Sequence, residues 1–188
     1  MFILIGLGNP GKEYAQNRHN VGFMFVDWVQ VHQAGEGVWK HDKYADADIA
    51  KVSLPSVTGS TQTTLAKPRT FMNRSGFTAN KILMSENLPP TELIVAHDDL
   101  DISLGEFKIQ KGKGPKVHNG LSSIESSLRF KDFWRIRIGI DNRDPARRIP
   151  GEPYVLQNFT SDELNEVTGL FPIIFQKLQQ VFEAQEQS

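Results

Sequence analysis

Short apolar runs alternate along this chain with longer stretches of helical spacing, and that alternation restricts the fold to one class. Phe2 to Leu7 is apolar and glycine-terminated, the pattern of a buried strand. Val21 to Val31 is apolar and long enough for a helix, with Asn20 placed as its N-cap. Tyr44 to Leu54 alternates as a strand, and so does Thr61 to Ala66, which Lys67-Pro68 should stop. Ser75 to Glu86 carries Phe77, Ala79, Ile82 and Leu83 at helical spacing. Leu93 to Ala96 reads as a compact strand before His97-Asp98, and Gly105 to Ile109 and Phe133 to Ile140 alternate as strands. Asn119-Gly120 opens a helix through Leu128, and Thr160-Ser161-Asp162-Glu163 caps a last helix running to about Glu183. This order predicts a single α/β domain over residues 1–188, with a mixed, largely parallel twisted central sheet flanked by helices.

Polar residues stand where strands hand over to helices: Asn9 and His19, then Asn73, then Asp98, with Asn119 opening a further helix. In open α/β sheets the ligand crevice lies at the carboxyl ends of the strands, so these residues are expected in one cleft. Helix N-termini around it would favour negative charge. The chain contains no cysteine, which excludes disulfides, thiolate metal sites and cysteine nucleophiles. No apolar run reaches the roughly 20 residues that span a bilayer, and Met1 to Ile5 is too short for a signal core. A cytoplasmic monomer without membrane contact is expected.

The net charge of −1 hides a strong segregation. Residues 108–148 hold eleven Lys/Arg against four acids, or +7, while the remainder carries −8. Such a segment points to a polyanionic partner, although a solvated basic face has the same composition.

Several motifs fail on inspection. Gly6-Leu7-Gly8-Asn9-Pro10-Gly11 matches a dinucleotide fingerprint, but the helix begins only near Val21 and Asp27 lies inside it, where it cannot hold a ribose. Asp99-Leu100-Asp101-Ile102-Ser103 lacks the glycine and the final glutamate of a calcium loop. The five histidines do not share metal-ligand spacing, and no G-x-S-x-G elbow occurs. Hydrolytic chemistry would then need an activated water. His19 with Asp98 is the pair suited to it, since a carboxylate on one imidazole nitrogen fixes the tautomer of a base. Asn9, Asn73 and Asn119 offer uncharged amides for a peptide or an oxyanion; isolated asparagines also serve as turn and cap residues, and both readings stand at this point.

Taken together, seven segments resemble bacterial-type peptidyl-tRNA hydrolase across nearly the whole chain. They are Gly6–Tyr14, Arg18–Phe23, Lys67–Gly76, His97–Asp101, His118–Leu121, Arg135–Ile140 and Tyr154–Leu156. The resemblance implies hydrolysis of the ester joining a peptide to the 3′-terminal adenosine of tRNA, with peptidyl-tRNA as partner and neither metal nor organic cofactor. It implies His19 as general base, Asp98 as its support, and Asn9 as the residue that tells blocked from free aminoacyl-tRNA. Tyr14, Phe71, Met72, Asn73 and Asn119 match substrate contacts. The basic segment then becomes a tRNA phosphate face led by Lys108, Lys111, Arg135 and Arg137. The helix after Asn20 would lower the pKa of His19 and Asp98 would raise it. One region departs from the family: its glycine-rich stretch is here Gly112-Lys113-Gly114-Pro115-Lys116-Val117, and an unstrained extended conformation is expected for Val117. Asp141 also stands where a small residue is common. An RNA-binding relative without catalysis is the competing reading, opposed by the complete set of site residues.

Overall fold

The computed structural model describes residues 1–34, 38–57, 59–147 and 149–186; Arg148 of the basic segment lies outside them. Its strands are β1 (Phe2–Gly6), β2 (Lys40–Asp42), β3 (Ala47–Ser56), β4 (Gly59–Pro68), β5 (Leu93–Ser103), β6 (Phe107–Lys111) and β7 (Trp134–Asp141). They form one sheet in the order β2-β3-β4-β1-β5-β7-β6. The centre, β4-β1-β5-β7, is parallel, and antiparallel strands complete both sides. The helices are α1 (Val21–Gln33), α2 (Ser75–Glu86), α3 (Asn119–Leu128), α4 (Gly151–Val155), α5 (Ser161–Gly169) and α6 (Phe171–Glu186).

Strand β1 is buried along its whole length because helices cover both faces of the parallel centre. Its side chains alternate between two cores. Phe2 and Leu4 join Phe25, Val29, Phe171 and Phe182 on the α1/α6 side, and Ile3 and Ile5 join Ile82, Ile124 and Phe133 on the α2/α3 side. The predicted α/β class, with its mixed sheet and flanking helices, is therefore what the chain adopts. Among the described residues no helix is long and apolar enough to cross a membrane.

The limits of several elements differ from expectation. Strand β5 does not stop at Ala96; it continues through His97, Asp98 and Asp99, paired with Arg137, Ile138 and Gly139 of β7. Strand β4 takes in Lys67 and stops on Pro68, which lies opposite Ala47. The strand expected from Tyr44 starts only at Ala47, because Asp46 adopts a left-handed φ of 48° in the preceding turn. The last helix is two helices broken at Leu170, since Pro172 has no amide to continue the first. Its start is as read: Thr160 and Glu163 form a capping box.

The junction of β1, β5 and α1 decides where the site lies. Leu7 N–H donates to the Ala96 carbonyl at 2.9 Å, and Phe23 N–H donates to the Leu7 carbonyl at 3.2 Å. Gly22 makes this approach possible: a Cβ there would stand 2.3 Å from the Ala96 oxygen and 2.5 Å from Leu7 N. The absent side chain lets the start of α1 sit on the strand ends.

Candidate active site

His19 lies in the single 3₁₀ turn Arg18–Asn20 that leads into α1, so the Gly22 contact carries it over β5. Its Nδ1 is 2.7 Å from Oδ1 of Asp98. The same oxygen is 3.0 Å from Nε2 of His118, the residue before α3. His118 Nδ1 accepts from the Gly120 and Leu121 amides at 3.1 and 3.3 Å, as a side-chain cap of that helix. These contacts set the proton positions. An atom that accepts from two amides carries no hydrogen, so His118 is the Nε2–H tautomer and donates to Asp98. His19 likewise donates its Nδ1–H, which leaves Nε2 for the cleft.

Electrostatics follow from this geometry. Burial raises the pKa of Asp98, but His19 and His118, through charge and hydrogen bonds, more than reverse it and hold the carboxyl far below its usual range. Burial is also the largest influence on His19 and lowers its pKa; the charge and hydrogen bond of Asp98 together outweigh it, and the net shift is upward. Burial, which was not among the expected influences, thus opposes Asp98. His19, Asp98 and His118 gather three ligand-type side chains that linear spacing did not suggest. Their facing atoms are engaged by one another and by the α3 amides.

Asparagines complete the floor. Asn9 N–H donates to Asn20 Oδ1, and Asn20 Nδ2 donates to the Asn9 carbonyl, both at 2.9 Å. Asn20 was expected to cap α1, but its side chain makes no capping bond and fixes the Asn9 backbone instead. Asn9 Oδ1 accepts from Met72 N at 2.9 Å, which fixes the orientation of its side-chain amide.

Asn9, His19, Phe71, Met72, Asn73, Asp98 and Asn119 line a single cleft of about 580 Å³ together with His118, Val117, Leu156 and Glu152, a volume that suits a segment of peptide or a nucleoside. Tyr14 does not line it; its ring meets Phe71 edge-on, with centroids 6.4 Å apart, and so supports the rim.

The expected phosphate face needs correction. Lys108 and Lys111 are exposed on β6, but Arg135 and Arg137 are 3% and 9% exposed. Arg135 donates to Glu125 and to the Gly114 and Lys131 carbonyls; Arg137 donates to Asp99 and Gln110 at 2.7 Å each. On β7 these guanidiniums point into the protein, where buried charge requires a partner, and they brace the 112–117 segment from below. Gly114, at a φ of +66°, rests on the Arg137 guanidinium, 2.1 Å from where a Cβ would lie. Val117 is not among the residues with positive φ, as expected, and is 80% exposed at the cleft rim. Neither His118 nor Asn20 was expected at the site, Asn20 being read only as the cap of α1. The signal for His118 was its place immediately before Asn119-Gly120, where a side-chain cap belongs.

A family model described as peptidyl-tRNA hydrolase matches residues 3–188 of this chain. The chain is 41% identical over 165 residues to the peptidyl-tRNA hydrolase of Mycobacterium avium, covering 88% of this chain and 82% of that protein. It is 42% identical over 165 residues to that of Nocardia farcinica, covering 88% of this chain and 81% of that protein. A crystal structure of peptidyl-tRNA hydrolase from Acinetobacter baumannii superposes with a TM-score of 0.85 at 29% identity, covering 100% of this chain and 91% of that one.

Proposed function

This chain belongs to the peptidyl-tRNA hydrolase family, and from that premise we propose that it hydrolyses the ester between a peptide and the 3′-terminal adenosine of tRNA, recycling prematurely released peptidyl-tRNA. In this reading residues 1–188 act as one catalytic domain, monomeric and cytoplasmic. His19 Nε2 takes a proton from water as that water attacks the ester carbonyl. The tetrahedral intermediate collapses, the bond to the ribose 3′-oxygen breaks, and the His19 imidazolium returns the proton to that oxygen. Asp98 keeps the imidazole in the Nδ1–H tautomer and stabilises the imidazolium. Asn119 holds the water or the oxyanion, and Asn9, Asn73, Met72 and Phe71 contact the substrate, with Tyr14 behind Phe71.

One observation carries the reading: a buried carboxylate fixes the outer tautomer of a histidine whose free nitrogen faces a cleft lined by amides. The tRNA face comprises the exposed lysines 108 and 111 of β6, and Arg135 and Arg137 contribute by holding the adjoining loop. A single-turnover assay with peptidyl-tRNA tests it. Release of peptide from wild type and its loss in His19→Ala are expected; tRNA binding without release by wild type would establish a non-catalytic binder instead.

A further inference from the structure

A third histidine, which the reaction above does not use, lies beside the pair that Asp98 joins. His97 precedes Asp98 in β5 and has no exposed surface. Its Nδ1 is 2.7 Å from the backbone carbonyl of Asp98. A carbonyl only accepts, so Nδ1 carries the proton and Nε2 is a bare acceptor. That Nε2 is buried and has no hydrogen-bond partner among the described residues. An unpaired buried acceptor is a cost that a phenylalanine or leucine would avoid. What the imidazole supplies in return is found at its other contacts. The Nδ1–H grips the peptide group of Asp98, and the ring packs against His118 at 74°, with centroids 5.1 Å apart. His118 is thereby held between that ring and the α3 amides, with its Nε2–H on Asp98.

We propose that His97 is a positioning residue for the reaction: it fixes the Asp98 peptide and the His118 ring so that the Asp98 carboxylate meets Nδ1 of His19. The proposal rests on His19 acting as the base. A neutral His97 is what the role needs, because a charge there would face His118 across the ring contact and would compete with His19 for Asp98. The charged and titratable groups around it are Asp98 on its own strand, His118 ahead of α3, and Arg135 and Arg137 on β7, with His19 reached through Asp98. Burial first, then His118, push the His97 pKa down to about 3, so the ring is neutral wherever the enzyme works.

Two variants separate the two contacts. His97→Phe keeps a ring against His118 and removes the Nδ1–H; His97→Asn keeps an amide donor near the Nδ1 position and removes the ring. Single-turnover hydrolysis of peptidyl-tRNA across pH is measured for both, together with tRNA affinity and melting temperature. His97→Phe is expected to lower kcat by about 10- to 100-fold, the scale of small misplacements remote from the reacting atoms, with KM nearly unchanged. Its acid limb should also move to lower pH, because His19 loses part of the Asp98 interaction while its burial stays. His97→Asn, which keeps the donor but loses the ring against His118, should restore the wild-type limb and recover kcat only in part. A His97→Phe enzyme with wild-type kcat, or one with reduced kcat on an unshifted limb, overturns the proposal and leaves His97 a packing residue. If neither variant folds, nitrogen NMR of the wild type decides: the proposal needs a neutral Nδ1–H tautomer at position 97 from pH 8 down to about pH 5, and an Nε2–H or protonated ring overturns it. Wild-type kcat in His19→Ala would remove the base reading and the proposal with it, whereas loss there beside no change in His97→Phe removes the proposal alone.

Discussion

One carboxylate oxygen serving two imidazoles sets the chemistry at the residue scale. Because His118 Nδ1 is occupied by two amides, the Asp98–His118 contact has one polarity only, and Asp98 remains an acceptor toward His19. His19→Ala is expected to lower kcat by about 10²–10⁴-fold, the usual contribution of a general base, and to leave tRNA affinity intact by filter binding. The pH dependence follows from the direction of the His19 shift. The base must be neutral, and its pKa lies above 6.5, so kcat/KM should fall on acidification with an apparent pKa above that value. Asp98→Asn removes the charge, the larger of the two influences that raise the His19 pKa, and leaves the burial that lowers it. The acid limb of this variant should therefore move to lower pH while kcat drops, and a limb that moved upward would contradict the assignment.

At the scale of elements, β7 and the segment it braces separate structural cations from surface ones. Arg135 is almost wholly buried against Glu125 and two carbonyls, so Arg135→Ala strips a partner from a mostly buried pair, a change that costs about 3–5 kcal/mol where burial is complete. It should lower the melting temperature sharply. Lys111→Ala, at the exposed end of β6, should change stability by less than about 0.5 kcal/mol and flatten the salt dependence of kcat/KM by about one phosphate contact. Equal melting temperatures for the two variants would refute this division. In the adjoining segment, Gly112 and Gly114 supply the left-handed turns that the family's glycines suggest, and Val117 does not need one. Val117→Gly is expected to cost about 0.5–1 kcal/mol through the entropy of the unfolded chain, read as a lower melting temperature without a gain in kcat. Gly22→Ala, by contrast, should impair stability and kcat together, because the new methyl meets the Ala96 oxygen under His19.

On the scale of the whole molecule, charge segregation survives folding in reduced form. Glu125 and Asp141, which pair with Lys131, Arg135 and Arg143, are already counted in the segment's +7, so the Arg137–Asp99 pair, whose acid lies outside it on β5, is what makes its surface less basic than that. Salt should still lower kcat/KM through the exposed lysines, with a slope of about −0.7 to −0.9 per neutralised phosphate. Acid stability has its own signature. A histidine whose folded pKa is depressed to about 3 contributes stability that is present above pH 6.5 and lost as pH falls toward 3. Urea denaturation of wild type over that window should lose stability faster than His97→Phe does, by up to one proton's slope.

The sequence by itself determined the α/β class, the mixed sheet and the cluster of strand-end polar residues, because hydrophobic period and turn chemistry are local properties. Helices α2 and α3 were legible to the residue for that reason, from Ser75 to Glu86 and from Asn119 to Leu128. Strand β5 was not: its continuation through His97-Asp98-Asp99 is stabilised by pairing with β7, some forty residues away, and polar residues enter that strand only because the partner supplies hydrogen bonds and counter-charge. The same reason hid the direction of Arg135 and Arg137, which read as an alternating, half-exposed face until Glu125 and Asp99 were brought beneath them. His19 and Asp98 could be paired in advance because few residues suit an activated water. His118 and Asn20 could not, since what they do depends on a backbone amide and a loop carbonyl whose positions only the packed α1, α3 and β1 define.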